Sequence, residues 1–117
     1  MKCLDWKLLG LVGMALARMN PAHAEIAIGV PMPLTGGMAW IGEQGERGVE
    51  LAVANLNAAG GVLGQPVRTV VVDDFCEGEQ AVAAAKKLVA EGVAMVAGHL
   101  CSGASIPARK SMRRQAL

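Results

Sequence analysis

At 117 residues the chain has room for one domain at most. It is 53% hydrophobic but only 3% aromatic, so its core must be built from Val, Leu, Ile, Ala and Met rather than from rings. A net charge of +1 gives no electrostatic reason to expect nucleic acid or an anionic membrane as partner, and no apolar run reaches the ~20 residues that span a bilayer.

The first segment, residues 1–24, has the layout of a secretory signal. Lys2 and Lys7 supply positive charge, Leu8 to Ala17 form a short apolar stretch, and Asn20-Pro21 breaks it. Ala22-His23-Ala24 then fits the small-x-small rule for cleavage. Removing residues 1–24 takes away Lys2, Lys7, Arg18 and Asp5 and lowers the net charge from +1 to −1. It also removes Cys3, leaving Cys76 and Cys101 as an even pair. Export and an even count favour a disulfide; two buried free thiols are the alternative.

Glu25 to Val30 reads as a first strand, stopped by Pro31 and Pro33. A glycine-bearing loop, Leu34 to Gly37, follows. Glu43 to Ala59 has apolar residues at helical spacing (Val49, Ala52, Val53, Leu56) and ends at Gly60-Gly61. Val67 to Val72 is a second strand with Asp73-Asp74 at its carboxyl end. Glu79 to Glu91 is a second helix, with Ala81, Val82, Ala85, Leu88 and Val89 on one face, ended by Gly92. Val93 to Ala97 is a third strand. A third helix follows, capped by Ser102 or a neighbour, with Pro107 in or near its first turn.

Strand–helix alternation three times over predicts an α/β fold: a parallel three-stranded sheet with flanking helices. In open sheets of this kind ligands bind beyond the carboxyl ends of the strands. Here that edge carries the loop at Thr35-Gly36-Gly37, the turn from Asp73 to Cys76, and the run Gly98-His99-Leu100-Cys101-Ser102-Gly103. Ser102 at a helix N-terminus suits a carboxylate, which the hydroxyl, free N–H groups and helix dipole would all favour. A plain helix cap is the other reading. Cys101 could act as a nucleophile in a small secreted thiol enzyme, because helix N-termini stabilise thiolates. Its prospective disulfide mate argues against that. Cys76, His99 and Cys101 lack the clustered spacing of structural zinc sites. Asp73-Asp74 could hold Mg²⁺, but such a pair more often caps a loop and faces water. Arg109, Lys110, Arg113 and Arg114 read as a solvated helix face.

From about Ile26 to the end, the chain resembles the leucine/isoleucine/valine-binding protein family, the periplasmic receptors of branched-chain amino-acid ABC transporters. Four stretches carry the resemblance: Leu56-Asn57-Ala58-Ala59-Gly60-Gly61, Asp73-Asp74-Phe75-Cys76, Gln80-Ala81-Val82-Ala83, and Gly98-His99-Leu100-Cys101-Ser102. It implies the first part of lobe 1 of a type I periplasmic-binding fold, which closes two lobes on one amino acid. It implies a Cys76–Cys101 disulfide, and a serine at Ser102 that contacts the ligand α-carboxylate. Near the ligand side chain it places Ile41, where many members have an aromatic residue, with Trp40 one position earlier. It calls for no cofactor, no metal and no catalytic residue. The implied partners are a leucine-class amino acid and a membrane permease, and the implied compartment is the periplasm. The same fold also serves amides, urea or a sensor domain.

In the family a further strand, loops that bind the ammonium group and a whole second lobe come next, whereas this chain stops at Leu117. Residues 25–117 are therefore expected to form a partial N-terminal lobe. Alone, such a lobe is expected to bind amino acid only weakly and to expose an apolar strand edge that invites aggregation.

Overall fold

The computed structural model describes residues 24–115. The export-signal reading thus falls, except for Ala24, outside the described residues. Three strand–helix units follow one another: β1 (Ile26–Met32) and α1 (Ala39–Ala58), β2 (Val67–Asp73) and α2 (Gly78–Ala90), β3 (Met95–Val96) and α3 (Ser102–Gln115). The strands form one parallel sheet in the order β2-β1-β3. The register pairs Ile26 with Val67 and Met32 with Asp73. The predicted parallel α/β sheet is what forms.

β1 runs through Pro31, although a proline there predicts the end of the strand. The physical reason lies in which neighbour each residue faces. Ile26 donates to the Pro66 carbonyl and Met32 accepts from Asp74, so these positions face β2. Ala27 and Gly29 accept from Ala94 and Ala97, so the intervening positions face β3. Pro31 falls in the second set, level with chain that has already left the ladder after Val96. Its missing N–H therefore costs no sheet hydrogen bond.

The helices cover both faces of the sheet. A Cβ at Gly29 would lie 2.9 Å from the Leu88 Cδ1 of α2, and one at Gly45 of α1 would lie 3.1 Å from the Met32 sulfur. Residues 29 and 32 point to opposite faces of a strand, so α1 and α2 do too. α1 begins at Ala39, four residues before the expected start. Its contact stripe is Gly42, Gly45, Val49 and Val53 rather than the larger apolar residues alone; Ala52 and Leu56 are exposed. Glycine on a helix lowers its intrinsic propensity, but it lets the helix backbone sit against a strand. Asn57 extends the same stripe, its amide donating to the Val67 carbonyl and accepting from the Val67 N–H, each at 2.8 Å.

α2 serves two surfaces. Leu88 faces the sheet, while Ala81 and Ala85 pack against Ala104 and Ala108 of α3, with Cys101 and Met112 at the margins. All four alanines are fully buried. Small side chains at this spacing let two helices approach closely. Pro107 is the sixth residue of α3 and not in its first turn. It leaves the Gly103 carbonyl without its usual helical donor. β3 is shorter than expected, and only Met95 and Val96 pair, with Ile28 and Gly29. Among the described residues its outer edge has no partner.

Candidate functional site

All three helices start at the carboxyl edge of the sheet, so the three strand-to-helix loops gather there. Two consecutive aspartates organise them. Asp73 accepts hydrogen bonds from the Leu34 N–H (2.9 Å), the Thr35 hydroxyl (2.6 Å) and the Phe75 N–H (2.9 Å). Partial burial raises its pKa, but these hydrogen bonds, the Thr35 hydroxyl first, outweigh it and hold the carboxyl below its ordinary value. A lowered carboxyl pKa stabilises the fold above the ordinary aspartate value, and that contribution is lost as pH falls through the folded value. Asp73→Asn is thus expected to cost about 1 kcal/mol near neutral pH, discounted for solvent at this edge. The gap from the parent chain should close below about pH 4 in urea melts followed by circular dichroism. A gap constant with pH would contradict the argument.

Asp74 is fully buried. The expectation that the pair faces water is therefore corrected for this residue, and among the described residues no group of three His, Cys, Asp or Glu could hold a metal ion. One oxygen of Asp74 accepts from the Cys76 N–H at 2.9 Å, and the other lies 2.6 Å from His99 Nδ1. Phe75 and Cys76 both adopt left-handed backbone, with φ of 53° and 61°. That conformation costs a non-glycine residue roughly 1–2 kcal/mol. Each amide is held by the aspartate two residues earlier, and hydrogen bonds to a charged group, at about 1.5–3 kcal/mol, offset the cost.

The turn so formed presents Cys76 to Cys101. The two are disulfide-bonded across 25 residues, with Cα atoms 5.4 Å apart. Both sulfurs are therefore engaged, which removes the free thiol that a nucleophilic Cys101 requires. His99 turns toward Asp74 rather than toward Cys101.

Cys101 also caps α3, because its carbonyl accepts from the Ala104 and Ser105 amides. Ser102 is then the first helical residue and is exposed. Among the described residues the Ser102 and Gly103 amides have no hydrogen-bond partner. A hydroxyl and two free N–H groups thus stand at the positive end of a helix dipole. Trp40 and Ile41 are the second and third residues of α1, at the same sheet edge. Trp40 is 61% exposed and Ile41 half-buried. No hydrogen bond joins either to Ser102. Arg109, Lys110, Arg113 and Arg114 are all exposed, as expected of a solvated face. A groove of about 400 Å³ between α2 and α3, with Val82 and Pro107 in its lining, contains none of the edge residues.

Sequence reasoning missed the Asp74–His99 pair and the tie from Thr35 to Asp73. The acidic pair was visible, and each aspartate's reach to the amide two residues on is a local pattern that could have been read. The partners across the edge come from loops 25 and 38 residues away and have no local signal.

Comparisons with known proteins bear on this edge. A family described as periplasmic binding protein matches residues 25–115. The chain is 49% identical over 92 residues to Leu/Ile/Val-binding protein homolog 2 of Brucella abortus, covering 79% of this chain and 25% of that protein. It is 45% identical over 95 residues to the Leu/Ile/Val-binding protein of Escherichia coli K12, covering 80% and 26%. Among solved structures it is similar to the branched-chain amino acid transporter substrate binding protein LivJ from Streptococcus pneumoniae in complex with isoleucine. That match has a TM-score of 0.76 at 30% identity, over 80% of this chain and 27% of the other. A Desulfitobacterium hafniense ABC transporter substrate-binding protein in complex with Leu matches at a TM-score of 0.66 and 34% identity, over 80% and 27%. The chain spans about a quarter of the length of the curated relatives it matches. With the parallel sheet, the bridged loops and the family match over nearly all described residues, this chain belongs to the periplasmic binding protein family.

Proposed function

We propose that residues 25–117 supply part of the N-terminal lobe of an extracytoplasmic solute-binding component of an ABC transporter for branched-chain amino acids. Residues 1–24 act as its export signal, the periplasm is its compartment, and a membrane permease is its eventual partner. Ser102, with the Ser102 and Gly103 amides, holds the ligand α-carboxylate; Trp40 and Ile41 border the ligand side chain. The observation that carries this reading is the uncovered first turn of α3, where one hydroxyl and two unpaired N–H groups converge at the carboxyl edge of the sheet. The relatives named above bind Leu, Ile or Val by name, which supports the choice of ligand class. An amide or urea ligand on the same fold is the second outcome that titration would distinguish.

Capture in this fold buries a ligand between two lobes, and the edge described here is one wall. Calorimetry of the chain with L-leucine is accordingly expected to show no micromolar dissociation constant. Amide NMR is expected to show millimolar contact, with the Ser102 and Gly103 resonances moving and Ser102→Ala weakening the response roughly tenfold. A response to urea or acetamide but not to leucine would shift the ligand class. No movement at Ser102 or Gly103 with any of them would refute the carboxylate role.

A further inference from the structure

We propose that Asp74 and His99 are a positioning pair, setting where the first turn of α3 stands and so where the Ser102 and Gly103 amides point. The functional meaning rests on the carboxylate reading above; the geometry does not.

The disulfide and the Asp74–His99 contact join the same two loops at neighbouring positions, 76 to 101 and 74 to 99. A single cross-link leaves two loops free to pivot about it. A second link two residues away on both strands of chain removes that freedom. The pair is sealed from water: the His99 side chain is 2% exposed and that of Asp74 is 0%. A carboxylate only accepts hydrogen bonds, so in the neutral ring Nδ1 carries the hydrogen and Nε2 is left as a lone pair. Nε2 is buried with no partner among the described residues, where the ring is held from the Asp74 side alone. The hold passes into the helix through Ser105. Its hydroxyl lies 3.3 Å from the His99 carbonyl and 2.9 Å from the Cys101 carbonyl, the same carbonyl that caps α3. Asp74 therefore fixes His99, and the backbone of His99 and Cys101 fixes the helix start.

Amide hydrogen exchange of the isotope-labelled chain, with the disulfide intact, tests this. In His99→Ala the Ala104 and Ser105 amides are expected to exchange roughly tenfold faster while Leu88 is unchanged, because the loss is local to one loop. His99→Asn keeps an N–H donor near the Nδ1 position and is expected to restore most of the protection. Asp74→Asn presents a donor to Nδ1, so the ring should switch to the Nε2–H form, read from its nitrogen chemical shifts. Uniform acceleration through α2, or no recovery in His99→Asn, would overturn the proposal, as would a His99→Asn chain that fails to fold. An L-leucine titration of the same samples separates the two ideas. Unmoved Ser102 and Gly103 resonances beside the expected exchange pattern would sink the carboxylate reading and leave the positioning role standing.

Discussion

Gly42→Ala is expected to destabilise the fold by about 3 kcal/mol, the upper end of the cost of overpacking. A Cβ at Gly42 would run into the Pro33 carbonyl oxygen, which is backbone and cannot turn aside like a side chain. To admit a methyl group, α1 would have to lift from β1. That would loosen the neighbouring contacts of Gly45 with Met32 and of the buried Val53. The sign of the effect is what makes the test informative, because alanine is ordinarily the better helix former. Gly48 lies in the same helix, exposed, with none of the described residues within 4 Å of its would-be Cβ. Gly48→Ala is expected to stabilise by about 0.5–1 kcal/mol. Urea melts of the two variants should move in opposite directions. Stabilisation by both substitutions would mean that α1 does not sit against Pro33 as described.

Removing the disulfide is expected to cost roughly 3 kcal/mol in the chain-entropy treatment of its loop. For a small three-stranded parallel sheet, that is a large share of a stability of about 5–15 kcal/mol. The comparison is the Cys76→Ser, Cys101→Ser double variant against the parent chain under oxidising and reducing conditions. Under reduction the two should melt nearly together, and under oxidation the parent should resist more urea. Mass spectrometry of the non-reduced chain should show Cys76 and Cys101 bridged. Free thiols there, with unchanged stability, would argue that the bridge contributes nothing. The buried Asp74–His99 contact spans the same gap, so the reduced loop should keep some order around His99.

Much of the architecture was legible in the residues. Val-rich runs separated by alanine-rich amphipathic stretches and glycine stops specify strand–helix alternation, and a helix between successive strands returns the chain in the same direction, which makes the sheet parallel. Where reading stopped short, the cause was a contact from elsewhere in the fold. Pro31 belongs to β1 because β3 ends before reaching it. α1 starts early because Gly42, before the expected start at Glu43, is a contact point with Pro33 and not a break. Val82 and Val89 are only half-buried because α2 divides its surface between sheet and α3.

By itself the sequence determined the three strand–helix units, the sheet edge that carries the loops, the cysteine pair and the placement of Ser102 at a helix start. The units, the edge and the helix start depend on local propensity and periodicity, which neighbouring residues encode; the cysteine pair was legible only from the even count beyond residue 24 and from the resemblance that implies the bridge. Only the tertiary structure decided that Asp74 is buried, that it holds His99, and that Cys101 rather than Ser102 caps α3. Those outcomes depend on two loops 25 residues apart, after β2 and β3, being brought together at one sheet edge across β1. Hydrogen-bond partners chosen across such a gap leave no periodic trace in the chain.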